Sequence, residues 1–295
     1  CFQKNDLENL KKYRHYLVGL IGLYVLSIHL PNTFLKVIML DVGQGDCIVI
    51  KTPFNKTCLI DTGPKLYSSH YSKDQVESII IPALKANNIT HLDIIFITHF
   101  DQDHAGGLNT LLSKFKVKKI ITNGNIHDIQ KVINQKNVPI FKINAMDTLK
   151  LDPVTTIVCL SPLQFDPKSK NRNLNSLVLK LNHKKMSFLF TGDIEQENEE
   201  KLLDIYSDLL PSNVVQAPHH GSKTSLTPSF LTATKPSVAL ISCGRKNVYK
   251  HPHKNTLETL KQQGVPIYRT DTNGALTILS DGKSLFMNRF IKSTL

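Results

Sequence analysis

The sequence predicts an α/β protein in which sheets are covered by helices. Three observations carry this expectation. Strand-like and helix-like segments alternate from residue 35 onward. The first strands are joined at hairpin spacing by Gly43-Gln44-Gly45 and Pro53-Phe54-Asn55. Residues 92–98, Leu-Asp-Ile-Ile-Phe-Ile-Thr, form an almost unbroken apolar run, the pattern of a strand buried on both faces.

Residues 1–34 differ from the rest. The basic stretch 11–16 leads into an apolar run of 14 residues, 17–30, which Pro31-Asn32 stops. As a helix that run reaches roughly 21 Å, against about 30 Å of bilayer hydrocarbon. It reads first as a short membrane-associated helix, then as a core helix, and last as a signal peptide, because no small-residue cleavage site follows. The bases precede the apolar run, so the positive-inside rule puts residues 35–295 across the membrane from the N-terminal side. Two units are expected: a transmembrane or juxtamembrane segment, 1–34, and one domain, 35–295.

Within that domain, strands are predicted at 34–42, 46–52 and 56–61, a helix at 73–88, the buried strand at 92–98 and a helix at 105–114. Shorter signals alternate through 119–142. Strands follow at 154–160, 175–182 and 186–191, then an amphipathic helix at 195–210. Val214-Val215-Gln216-Ala217, a strand at 237–242, a helix at 253–263 and two closing strands near 275–289 complete the pattern.

With 295 residues, 41% of them hydrophobic, the chain can bury a core without disulfides. The formal net charge is +12, and residues 35–295 alone hold 32 basic and 22 acidic side chains. Such a surface suits a polyanion, and equally a lysine-rich solubility face. The five cysteines form no C-x-x-C motif; Cys47 and Cys58, on neighbouring strands, could pair, but small buried hydrophobes are the expected role of all five.

The chemistry concentrates where the strand 92–98 ends. His99, Asp101, Asp103 and His104 place four metal-capable side chains within six residues, and imidazole nitrogen with carboxylate oxygen suits Zn²⁺ or Mn²⁺. His99 and Asp101 alternate and point one way; Asp103-His104 begins a new turn and points another. Gly106-Gly107 would then let the backbone turn tightly. Helix capping by Asp103 is the bland alternative, and it leaves two His and two Asp beside an apolar strand unaccounted for.

Other motifs follow in order: Leu40-Asp41-Val42-Gly43-Gln44-Gly45-Asp46, Leu59-Ile60-Asp61-Thr62-Gly63, Thr191-Gly192-Asp193, Pro218-His219-His220-Gly221-Ser222, His251-Pro252-His253 and Thr270-Asp271-Thr272-Asn273-Gly274. Together with His99–His104 they resemble the metallo-β-lactamase superfamily signature H-x-H-x-D-H, with Asp101 in place of the second His. That variant is similar to the one in ComEC-type DNA internalisation proteins, and the likeness runs along residues 36–289.

The resemblance implies a four-layer αβ/βα sandwich with its site at one edge, between the sheets. It implies two divalent metal ions. His99 and Asp101 would hold the first, Asp103, His104 and His220 the second, and Asp193 would bridge them. Asp61 would orient the ligand loop, and His219 would donate to a substrate phosphate. Asn175, Ser222, His251 and His253 would contact substrate. Asn175 lies where the superfamily supplies another His, so the first site has lost two imidazoles. Harder oxygen ligands favour Mn²⁺ or Mg²⁺ over Zn²⁺. Lys168, Lys170 and Arg172 would line the mouth of the site, whereas Lys114, Lys116, Lys118 and Lys119 read as a solvated face.

The activity so implied is metal-dependent hydrolysis of DNA, degrading the non-transported strand during competence. Asp61, Asp103, Asp193 and His219 would be the catalytic residues. The setting would be the outer, periplasmic or extracellular, side of a bacterial inner membrane. The partners would be the membrane channel portion of the same longer protein and the DNA-uptake machinery. Two other readings stand beside it. One is a small-molecule phosphodiesterase resembling phosphorylcholine esterases, against which the absence of Trp for an aromatic cage counts. The other is a non-catalytic module that guides DNA.

Overall fold

Successive side chains of a strand point to opposite faces, and here both faces are apolar. The computed structural model describes residues 13–21, 33–65, 74–124, 126–132 and 138–289. In β1 (Leu35–Met39), Leu35, Val37 and Met39 enter one buried cluster while Ile38 enters another. The same division continues through β2 (Ile48–Lys51), β3 (Thr57–Ile60), β4 (Ile94–Ile97) and β5 (Ile120–Thr122), whereas in β6 (Ile140–Lys142) only Ile140 packs, against the outer cluster.

A second sheet follows, made of β7 (Thr148–Asp152), β8 (Thr155–Ser161), β9 (Val178–His183), β10 (Met186–Phe190), β11 (Val214–Gln216), β12 (Val238–Ile241) and β13 (Ile267–Arg269). The chain then returns to the first sheet with the hairpin β14 (Leu276–Ser280) and β15 (Leu285–Arg289), β14 pairing antiparallel with β1. Among the described residues the orders are 15-14-1-2-3-4-5-6 and 13-12-11-10-9-8-7. β3 to β6 are mutually parallel, as are β10 to β13.

The helical segments are α1 (13–21), a π turn Val76–Ile80 continuing as α2 (Ile81–Ala86), α3 (Gln102–Ala105), α4 (Leu108–Lys114), α5 (Ile126–Val132), α6 (Gln196–Tyr206), α7 (Pro228–Thr234), α8 (Lys254–Gln262) and α9 (Thr270–Asn273). Val76, Ile80, Leu84, Leu108 and Leu111 cover the outer face of the first sheet. Leu202, Phe230, Leu231 and Leu260 cover that of the second. Phe96, Phe188 and Phe190 fill the space between the sheets. Helix, sheet, sheet and helix are thus separated by three apolar layers.

The predicted helix 105–114 is two helices, α3 and α4, and the helix expected to reach 210 ends at Tyr206 in a 3-10 turn, Ser207–Leu209. β7, β13 and α7 were not foreseen. The start of α7 carried a signal nonetheless: Pro228 opens it and the Thr227 hydroxyl accepts from the Phe230 amide at 3.3 Å. Cys47 lies in the outer cluster and Cys58 between the sheets, both free, so they occupy opposite faces and form no disulfide. Tyr16, Leu17, Val18 and Leu20 of α1 are exposed. No helix of the described residues is long and apolar enough to cross a membrane, and residues 22–30 of the predicted apolar run lie outside them.

Candidate metal centre

Parallel strands expose their carboxyl ends at one edge, and a crevice forms where such ends from different elements meet. Both sheets contribute here. Asp61 follows β3, His99–His104 follows β4, Asp193 follows β10, His219-His220 follows β11 and Ser242 follows β12. Backbone bonds tie these loops together: Thr62 N to His104 O at 2.7 Å, Asp46 N to Asp103 O at 3.1 Å, and His219 N to Gly192 O at 3.1 Å.

Three site residues sit in the left-handed region: Asp61 at φ 59°, His219 at 49° and His220 at 55°. Asp and His enter this region more readily than most side chains, and such strain gathers at functional sites. Gly106 and Gly107, by contrast, have ordinary helical φ of −60° and −78°, so they do not serve the tight turn the sequence suggested. They serve close approach. A Cβ on Gly107 would lie 2.4 Å from the Thr62 carbonyl oxygen, and one on Gly106 2.5 Å from the Lys65 amide nitrogen.

One ligand atom from each of Asp103, His104, Asp193 and His220 lies within 4.8 Å of the others. His104 Nε2 is 3.1 Å from Asp193 Oδ1, and His220 Nε2 is 3.2 Å from Asp103 Oδ2 and 3.6 Å from Asp193 Oδ2. The far ring nitrogens are engaged elsewhere. His104 Nδ1 donates to Asp61 Oδ2 at 2.7 Å, and His220 Nδ1 donates to the Ser242 carbonyl at 3.0 Å. Holding Nδ1 this way sets the tautomer and leaves Nε2 for the cluster. Asp61 is itself fixed, accepting from the Thr98 amide at 2.8 Å and the Thr98 hydroxyl at 2.7 Å.

His99 and Asp101 stand to one side. His99 Nε2 is 3.7 Å from Asp101 Oδ2 and 4.0 Å from Asp193 Oδ2. Asp101 already has a cation: Arg172 Nη1 lies 3.3 Å from its Oδ1 and donates to the Phe100 carbonyl at 3.0 Å.

The buried Nε2 atoms of His99 and His104 and Oδ1 of Asp193 have no hydrogen-bond partner. Buried polar atoms are rarely left so. The His104 and Asp193 atoms lie in the four-residue cluster, His99 Nε2 stands 4.0 Å from Asp193 Oδ2, and divalent cations accept imidazole and carboxylate together, so these residues fit a metal.

The electrostatics follow from burial and pairing. Burial, reinforced by His104, pushes the His99 imidazole down to about 3. Burial also pulls on His104 and His220, but carboxylates outweigh it and hold both well above the ordinary histidine value: Asp193 and Asp61 for His104, Asp193, Asp103 and Asp46 for His220. Burial raises Asp103, yet its hydrogen bond with His220 and the nearby His104 take it down to about 2. Asp193 falls well below the carboxylate range for the same reason, His104 and His220 outweighing burial.

The remaining predicted residues divide. His219 faces the cluster, its Nε2 3.8 Å from Asp193 Oδ2 and its Nδ1 3.5 Å from Glu195 Oε1. The His251 ring lies edge-on to it at 5.6 Å. His253 caps α8, its Nδ1 accepting from the Asn255 amide at 3.3 Å. Ser222 Oγ is in a local turn with Thr224 at 3.1 Å. Both ends of the Asn175 amide are held by the Asp166 backbone, at 2.9 and 2.8 Å. Lys168 and Lys170 are exposed, and Lys114 and Lys118 pair with Glu77 and Asp93.

Two residues escaped the sequence reading. Asp46 is buried, with Oδ1 3.5 Å from His220 Nδ1 and Oδ2 3.9 Å from His104 Nδ1, while Gln216 donates to it. It belongs to a motif the sequence displays, but nothing local distinguishes it from a turn aspartate. Glu195 accepts from the Asn171 and Asn173 side chains at 3.0 and 3.1 Å while facing His219. Its position two residues after Thr-Gly-Asp was the available signal.

The fold and this cluster define a metallo-β-lactamase-fold protein with a site able to hold a divalent metal. Residues 40–132 match the metallo-beta-lactamase superfamily. The solved metallo-beta-lactamase fold protein YhfI from Bacillus subtilis superposes with a TM-score of 0.56 at 12% identity, over 83% of this chain and 99% of that one. Over most of its length the chain is similar to proteins named for competence. It is 35% identical over 255 residues to "ComE operon protein 3" of Bacillus subtilis, covering 82% of this chain and 32% of that protein. It is 30% identical over 250 residues to "Competence protein ComA" of Neisseria gonorrhoeae, covering 83% of this chain and 32% of that protein. The chain therefore spans about a third of the length of these curated relatives.

Proposed function

We propose that this domain hydrolyses phosphodiester bonds of DNA and, within a longer membrane protein of the DNA-uptake machinery, degrades the strand that is not taken up. The buried set of Asp103, His104, Asp193 and His220, with ligand atoms within 4.8 Å, carries the reading. The relatives named for competence support it, and so does a formal net charge of +12, which draws a polyanion.

In this reading Asp103, His104 and His220 would hold one ion, His99 and Asp101 would hold another, and Asp193 would serve both. Divalent ions in such a site neutralise charge on a phosphoryl oxygen and activate water near neutral pH. Asp61 and Ser242 aim the two imidazoles, Asp46 stands behind both, and His219, oriented by Glu195, donates to the phosphate. Ser222, His251 and His253 border the site, and Asn175 shapes it through the Asp166 backbone. The domain works on the periplasmic or extracellular side of the inner membrane, attached through residues 1–34 to the channel portion.

The direct test is cleavage of a labelled oligonucleotide with Mn²⁺, Mg²⁺ or Zn²⁺, run beside a choline phosphodiester. Metal-dependent cleavage of DNA is expected. Cleavage of the choline ester alone would make the protein a small-molecule phosphodiesterase, and DNA binding without cleavage would make it a guide.

Metal loading should be unequal. The Asp101 carboxylate favours Mn²⁺ over Zn²⁺ and is already paired with Arg172, so the ion beside it competes with a guanidinium. One ion should survive purification and the second should come from added Mn²⁺. The metal-free site carries protons on His104 and His220, whose values are raised, and a metal at Nε2 must displace them. Apparent affinity should therefore climb with pH through neutrality, with proton release measurable by calorimetry in buffers of different ionisation enthalpy. Two zinc ions at full occupancy with no response to Mn²⁺ would refute this.

Residues 35–295 should also stand alone. β1 begins at Leu35 and is paired on both sides, by β2 and β14. A chain starting at residue 35 should melt cooperatively by circular dichroism; insolubility with every metal tried would move the boundary.

A further inference from the structure

The segment between β12 and α8 carries a loop that presents its most apolar residues to water. Val248 is 86% exposed and Tyr249 63%. The loop is nevertheless braced. The Asn247 side chain donates to the carbonyls of Gly244 at 2.8 Å and His251 at 2.6 Å, and accepts from the His251 amide at 2.9 Å. Lys246 and Lys250 adopt left-handed φ of 51° and 58° on either side of the tip. A half-buried asparagine thus holds a tyrosine outward, where burial gives it nothing.

From Tyr249 a run of rings leads inward. Tyr249 stacks on His251 with centroids 5.7 Å apart and planes 27° from parallel. His251 meets His219 edge-on at 5.6 Å, and His219 Nε2 is 3.8 Å from Asp193. Arg245, Lys246 and Lys250 are all exposed, and none is paired with a carboxylate among the described residues. Exposed aromatic face, unpaired bases and direct continuity with the metal cluster are the parts of a single-strand platform: a base stacks on the ring while cations follow the phosphates.

We propose that residues 245–250 form a base-stacking platform for single-stranded nucleic acid. Tyr249 takes the face of a nucleobase, and Arg245, Lys246 and Lys250 take the flanking phosphates. The strand is thereby led past His251 and His219 with a phosphodiester over Asp193. Duplex DNA shows only base edges in its grooves, so the ring finds no face there except at an end. This rests on the hydrolase reading above and names the form of substrate it prefers.

The test uses the full 295-residue chain as purified and fluorescence anisotropy. The probes are an oligothymidylate with phosphorothioate linkages, which resist hydrolysis, and a closed hairpin duplex of equal length. Tyr249→Ala should weaken single-strand binding roughly 5- to 100-fold, with little change for the duplex. Tyr249→Phe, which keeps the ring, should bind like the parent. An oligonucleotide with abasic sites should bind the parent as weakly as the intact one binds Tyr249→Ala, and the two losses should not add. Equal losses for strand and duplex, or no loss for either, would overturn the platform. A parent protein that binds neither probe would overturn the DNA-hydrolase reading with it, whereas a parent that binds and cleaves DNA with Tyr249→Ala unaltered would remove the platform alone.

Discussion

Asp193→Ala is expected to remove metal-dependent phosphodiester hydrolysis, lowering kcat/KM by at least about a thousandfold, or roughly 4 kcal/mol of transition-state stabilisation. The reason lies in its position. Its Oδ1 is 3.1 Å from His104 Nε2, and its Oδ2 is 3.6 Å from His220 Nε2, 3.8 Å from His219 Nε2 and 4.0 Å from His99 Nε2. No other carboxylate of the site approaches four imidazoles. Its removal takes a ligand from either ion and leaves the raised histidines without the charge that sustains them. Asp193→Asn keeps the shape and loses the charge, so it should fold like the parent and still fail to load metal, as read by metal analysis. Full activity in folded Asp193→Ala would end the two-ion assignment.

Gly45→Ala should be a severely damaging single methyl near the site. Its Cβ would stand 2.3 Å from the Asp103 carbonyl oxygen and 2.9 Å from Pro64 Cδ, at φ +134°. Neither neighbour is a flexible side-chain tip. The contact coincides with the bond from the Asp46 amide to that same carbonyl, at 3.1 Å. The ligand loop must move or the strand end must, at about 2–6 kcal/mol for strain and overpacking together. Gly264→Ala is the control: φ is +69° but nothing lies within 4 Å, so only a backbone penalty of about 1 kcal/mol applies. Thermal denaturation of the two variants separates collision from conformation. Equal melting temperatures would show that the approach of Gly45 to Asp103 is not tight.

Much of this was legible because it depends on local pattern. Ile94–Ile97 announced a doubly buried strand, and the ligand residues that follow it are contiguous. What stayed hidden depends on partners distant in the chain. Asp46 matters because His104 and His220 bring their Nδ1 atoms to it. Asn175 carries a motif, but its amide is spent on Asp166, a pairing no local spacing reveals. β13 is three residues long and only partly buried, too short to show a period. The Gly106-Gly107 pair was visible, but whether a glycine serves a turn or a close approach is decided by what lies opposite, here Thr62 and Lys65.

The hydrogen bond between His220 and Asp103 joins residues 117 positions apart, one from each sheet. The site is therefore also a seam. Each sheet brings an incomplete set of ligand atoms, and only their juxtaposition makes a whole one. An ion bound there acts as a rivet: it favours the joined state over any in which the sheets have slid or parted, by an amount that grows with the logarithm of its concentration. Metal supply would then set the tightness of the sandwich, and a chain starved of metal is expected to loosen first at that edge.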